Sequence, residues 1–214
     1  MDPDTPSEET DAATTPAEAL AAIKASQERV RQQTHVSSTA LFATWGVAFL
    51  IAYGALYVGY SEAAQTPRGW SMLVLAACVV GAMVFTGVHI ARRTAGIRGH
   101  SARVGAMYGW AWVLCFLFAS VIFGAVAAAG APPLALSILT NAVSLLIVAA
   151  LYMAGGAIWQ EWRMFVLGAW FAVIGSVAAI VAPPNGYLVQ AIAGGGGFLV
   201  AAAAARVIER WRSR

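Results

Sequence analysis

This sequence predicts an all-α protein, a polytopic transmembrane helical bundle with six spans arranged as three hairpins, preceded by an N-terminal cytoplasmic helix. Three observations predict it. Hydrophobic residues make up 60% of the 214 residues and charged residues only 11%, against roughly 25% charged in an ordinary soluble domain. Six apolar runs are each long enough, as helix, to cross a hydrocarbon layer of about 30 Å. None of the runs shows the period-two alternation of a membrane barrel. Backbone groups in lipid must therefore pair within each segment, as they do in a helix.

Residues 1–14 form an acidic tail with Asp2, Asp4, Glu8, Glu9 and Asp11 among Pro, Ser and Thr. Such a composition buries too little apolar surface to offset the ordering entropy, so disorder is expected there. No apolar core of a secretory signal is expected in this polar beginning. At Thr15-Pro16-Ala17-Glu18 a capping residue, a proline at the first helical position and a Glu three after the cap open a helix running to about Gln33. Residues 15–38 are thus read as a cytoplasmic juxtamembrane helix, with Leu20, Ile23 and Val30 sharing one face. It admits two readings, a solvated linker and an interfacial or partner-binding helix.

The transmembrane domain covers residues 39–208. Its spans are expected at about 40–60, 70–90, 107–129, 134–157, 164–181 and 187–207, and residues 209–214 form a basic tail. Orientation follows from the basic residues. Lys24, Arg29, Arg31, the cluster Arg92, Arg93, Arg98 and Arg103, then Arg163, and finally Arg206, Arg210, Arg212 and Arg214 all flank one side, while Arg68 stands alone on the other. The positive-inside rule places both termini in the cytoplasm. A bacterial inner membrane is the compartment that fits. Gly130-Ala131-Pro132-Pro133 and Ala182-Pro183-Pro184-Asn185-Gly186 are short turns on the outer side. A faint repeat links the two hairpins around them, since Ala-Pro-Pro recurs at Ala131 and Ala182 and similar text ends the following spans, Ile158–Arg163 and Val207–Arg212.

The chemistry these spans lack is informative. No Asp, Glu, Lys or Arg lies deep in any of them, which argues against a proton-coupled pump or a voltage sensor. Cys78 and Cys115 read as buried hydrophobes, and His35, His89 and His100 lie at span edges without a facing pair. No metal site, no cofactor, no catalytic constellation and no nucleic-acid partner is expected, and the protein is read as not an enzyme.

The polar signal sits in the fourth and sixth spans. Ser137, Thr140, Asn141 and Ser144 recur at helical spacing on one face. Gln190 stands at similar depth in the sixth span, above the run Gly194-Gly195-Gly196-Gly197, with Gly194 and Gly197 on its face. These residues are the candidate solute lining. The plainer reading is interhelical hydrogen bonding and close helix packing. The glycine run is either a packing surface or a broken helix whose backbone faces a ligand. Arg92, Arg93, Arg98 and Arg103 are candidates for contact with anionic lipid or with a cytoplasmic or membrane subunit, or serve only to set topology.

Ala17–Arg31, reading AEALAAIKASQERVR, followed by Trp45-Gly46 early in the first span, resembles a set of uncharacterised actinobacterial six-span membrane proteins, some of them labelled transporters. The resemblance covers the first quarter of the chain and implies no residue roles. The six-span plan is also similar to the substrate-binding components of energy-coupling-factor vitamin importers. Those use an Ala-x-x-x-Ala patch in the first span, which Ala48-Phe49-Leu50-Ile51-Ala52 fits. Two functions follow as expectations. The first is a small transport-related component, solute-binding or accessory. The second is a structural or regulatory anchor that holds a cytoplasmic partner through the N-terminal helix and the arginine loop.

Overall fold

A computed structural model describes residues 15, 17, 20–22, 38–94 and 100–212. The acidic tail 1–14, most of the juxtamembrane helix, the centre of the arginine loop and residues 213–214 lie outside the described residues. The chain divides into two units, Met1–Val36 and Ser37–Arg214. Within the first, Ala17 and Leu20–Ala22 are helical.

The second unit is a helical bundle. Its elements are α1 (Ser38–Val58), a two-strand hairpin β1 (Tyr60–Ser61) and β2 (Thr66–Pro67), α2 (Gly69–Thr94), α3 (His100–Ala128), α4 (Pro133–Ile158) and α5 (Trp162–Val181). The sixth span is continuous but mixed: α6 (Asn185–Val189), a π-helical segment (Gln190–Gly195) and α7 (Gly196–Arg212). Among the described residues six helical segments are long and apolar enough to cross a membrane. The chain is an integral, multi-pass membrane protein, with lipid around its outer faces. The helices α2 and α3 run further towards the arginine loop than their apolar text alone indicates, because a helix continues past the hydrocarbon boundary while its polar end side chains reach water.

Four spans build the core. Phe49 of α1, Tyr152 of α4, Phe171 of α5 and Phe198 of α7 form one aromatic cluster, with ring centroids 5.6 Å (Phe49–Phe171), 4.7 Å (Phe171–Phe198) and 5.9 Å (Tyr152–Phe198) apart. Leu145, Ala149, Ile174 and Ala191 fill the space around it. Small residues let the backbones approach, which matters in lipid, where helices associate by packing rather than by leaving water. A Cβ on Gly168 would stand 2.7 Å from the Ala149 carbonyl oxygen, and one on Gly156 would stand 2.6 Å from the Phe165 nitrogen. Those contacts bring α4 and α5 together along their length.

The helices α2 and α3 are attached at the edge. The Trp45 indole N–H donates to Thr86 Oγ1 (3.1 Å), holding α2 to α1. The Tyr108 hydroxyl donates to the Leu151 carbonyl (2.8 Å), holding α3 to α4. Ser71 and Ala82 are buried in α2, and Ala119 in α3, while the large side chains of both helices are mostly exposed on the protein's own surface.

The loop after α1 was not expected to pair. Tyr60 faces Pro67 and Ser61 faces Thr66 in a short antiparallel ribbon. Gly59 is required there because a Cβ would lie 2.6 Å from the fully buried Ser71. Ser71 Oγ in turn donates to the Arg68 carbonyl (2.7 Å), closing the loop. Tyr60 also meets Tyr187 edge-on at 6.2 Å, which ties the ribbon to the sixth span. Burial and the neighbouring Glu62 carboxylate push the Tyr60 hydroxyl above its ordinary pKa.

Candidate functional site

The polar face of α4 and the sixth span lie at one depth. The two helices run in the same direction. Tyr152 meets Phe198 at one level, and the Ser137 hydroxyl stands beside the Tyr187 hydroxyl at another. Counting along both helices between these anchors brings Gln190 level with Asn141. The same count along α1, between the Phe49–Gly194 contact and the Tyr60–Tyr187 pair, brings the stretch Tyr53–Leu56 to that depth.

Gln190 is the unusual residue. Its side chain is fully buried, and neither Oε1 nor Nε2 has a hydrogen-bond partner. A carboxamide offers two donors and an acceptor, and enclosing such a group unpaired costs about 1–3 kcal/mol. Native interiors seldom leave that cost standing. The π-helical segment begins at this residue. A π turn inserts an extra residue into the helical ladder and is frequent at functional sites.

The rest of the polar stripe behaves in different ways. Ser137, Thr140, Asn141 and Ser144 are all half-buried. Thr140 Oγ1 donates to the Leu136 and Ser137 carbonyls (2.9 and 3.2 Å), so its hydroxyl serves its own helix. The glycine run is packed. Gly194 faces Phe49, whose Cδ1 would be 3.1 Å from an added Cβ, and Gly195 faces Leu50 and the Gly46 carbonyl. Gly197 faces the Trp170 indole, which donates to the Ala193 carbonyl (3.1 Å) inside the π segment. Only Gly196 of the four has open space where a Cβ would stand. The run is therefore neither a plain α-helix nor an unwound loop; close packing and a π turn coexist in it.

Of the arginine cluster, Arg92 and Arg103 have exposed side chains. Arg93 lies in α2, and Arg98 lies outside the described residues. Among the described residues Arg92, Arg103, Arg163 and Arg206 mark one end of the bundle, and Arg68 alone marks the other. Among the described residues no group of three or more His, Cys, Asp or Glu is placed to hold a metal ion. Sequence reasoning missed Trp170 as the residue that holds the π segment, and missed the tyrosines Tyr53 and Tyr187 near Gln190. Their hydroxyls in an apolar run were the available signal.

No protein-family model, curated protein or solved structure matches this chain.

Proposed function

We propose that this membrane protein is a small transport-related component, solute-binding or accessory, that holds a small uncharged polar solute between its fourth and sixth spans. The carrying observation is the Gln190 carboxamide, fully enclosed with both polar atoms unpaired, level with Asn141 and at the start of a π turn. A solute bearing a donor and an acceptor would pair with it, and the half-buried hydroxyls of Ser137 and Ser144 supply further partners. The lack of charged side chains deep in the spans favours a neutral solute, since a charged one would enter low dielectric without a counter-ion. The role is a binding one and requires no catalytic group. The arginine end is taken as cytoplasmic, in a bacterial inner membrane with both termini inside.

The test is to purify the protein gently from membranes, denature it and identify the small molecules released. The wild type is expected to release a neutral polar compound that Asn141→Leu and Gln190→Leu, assembled normally, do not. Release by both variants would end the reading. Orientation is checked separately: a reporter active only in the cytoplasm, fused after Pro133, should be silent.

The exposure of Arg92 and Arg103 supports a second reading, an anchor that captures a cytoplasmic partner. Deleting residues 1–33 would abolish partner capture under that reading and leave solute release intact under the first.

A further inference from the structure

A second feature lies on α2, away from Gln190. Gly81, Val84, Phe85, Val88, His89 and Arg92 line a concavity of about 400 Å³ along one side of this helix. Its lower part is apolar and its end at the arginine loop is basic. Gly81 opens the floor, since a Cβ there would meet nothing within 4 Å. Phe85 stacks on His89 at 5.6 Å with the rings 14° apart, which fixes the imidazole against the groove. The imidazole Nε2 is enclosed and has no hydrogen-bond partner. Arg92 is exposed at the end of the groove. Among the described residues no acidic side chain lines it.

We propose that this groove is a binding site for one anionic phospholipid, with the phosphate at Arg92 and an acyl chain lying along Val88, Phe85, Val84 and Gly81. Three features match that occupant. At about 1.5 Å per residue the helix from Gly81 to Arg92 rises roughly 16 Å, close to half of a hydrocarbon core of about 30 Å, so the groove is one leaflet deep. Its polarity changes once, from apolar to basic, in the order of an acyl chain followed by an anionic headgroup. The exposed Arg92 guanidinium supplies charge and hydrogen bonding at the headgroup level, and a guanidinium suits phosphate geometry. The site is independent of any solute between α4 and the sixth span.

The experiment equilibrates the full-length protein in vesicles of equal phosphatidylglycerol and phosphatidylcholine, extracts it in mild detergent and counts retained lipids by native mass spectrometry. The wild type is expected to keep one phosphatidylglycerol in preference to phosphatidylcholine. Arg92→Gln should lower that retention about fivefold, the effect of one basic side chain at an anionic surface. Gly81→Leu should lower it by a similar factor without lowering the melting temperature, because the new side chain occupies the groove and not the protein core. Arg103→Gln, on α3, should retain the lipid as the wild type does. Equal retention of both lipids, insensitivity to Arg92→Gln and Gly81→Leu, or displacement of the bound lipid by millimolar inorganic phosphate would each overturn the proposal.

Discussion

The bundle has two kinds of helix. The spans α1, α4, α5 and the sixth share the aromatic cluster and carry the helical glycines that meet a neighbouring element. The spans α2 and α3 lie at its edge, are almost unburied by their own chain, and present Leu73, Val80, Met83, Met107, Leu117 and Val121 outward. In water this would be an inverted arrangement. In lipid the outward apolar surface costs nothing, and what separates core from edge is how closely backbones approach and where polar groups must be paired. Composition does not separate the two kinds, since α2 and α3 carry three glycines each and α1, α4 and α5 two each; the difference is that no glycine of α2 or α3 meets a neighbour, whereas most of those in the other spans do.

Substitutions on either side of this divide sharpen it. The largest contrast is expected for Phe171→Ala, which removes a fully buried ring from the cluster and should cost about 3–5 kcal/mol. Phe118→Ala, on the outer face of α3, should cost little. Unfolding in detergent, followed by helical circular dichroism, measures both; equal losses would erase the distinction. Next is Gly168→Leu, where the added side chain meets the Ala149 carbonyl and the Met153 backbone nitrogen at 2.7 and 2.8 Å. Overpacking of this kind typically costs about 1–3 kcal/mol, and more where backbone must move. Smallest and of opposite sign is Gly124→Ala in α3. Nothing lies within 4 Å of its Cβ position, so the change should stabilise by about 0.5–1 kcal/mol through helix propensity alone. A destabilised Gly124→Ala would place a close neighbour, in lipid or in a second chain, where the single chain has none.

The six spans were legible because each is a long run without charge, and the span ends were recovered to within a few residues wherever a turn residue marked them, as at Pro133 and Ala182. The start of α3 was not, since His100 and Arg103 are polar and the helix merely continues past the apolar boundary. The ribbon at Tyr60–Pro67 was invisible because two residues per strand carry no periodicity. The polar stripe on α4 was found by spacing, as was Gln190. What spacing did not contain was the partnering: that Thr140 bonds its own helix, that Gly194 and Gly197 are occupied by Phe49 and Trp170, and that Gln190 is enclosed with both polar atoms unpaired. These depend on which helices become neighbours, and hydropathy is nearly the same on every side of a span. The basic groove on α2 was missed for a related reason. Gly81, Val84, Phe85, Val88 and Arg92 share a helical face, but a face becomes a groove only when the neighbouring helix leaves it uncovered.

The most direct test of the central claim is the unfolding stability of solute-free wild type and Gln190→Leu, each measured again after addition of a small-molecule extract of the source membranes. If Gln190 is held unpaired for a ligand, the leucine variant is more stable than the wild type without extract, by about 1–3 kcal/mol, because an enclosed orphan amide has been removed. The extract then stabilises the wild type alone. A less stable leucine variant, or equal stabilisation of both proteins by the extract, would mean that Gln190 is a structural residue and that no solute sits between α4 and the sixth span.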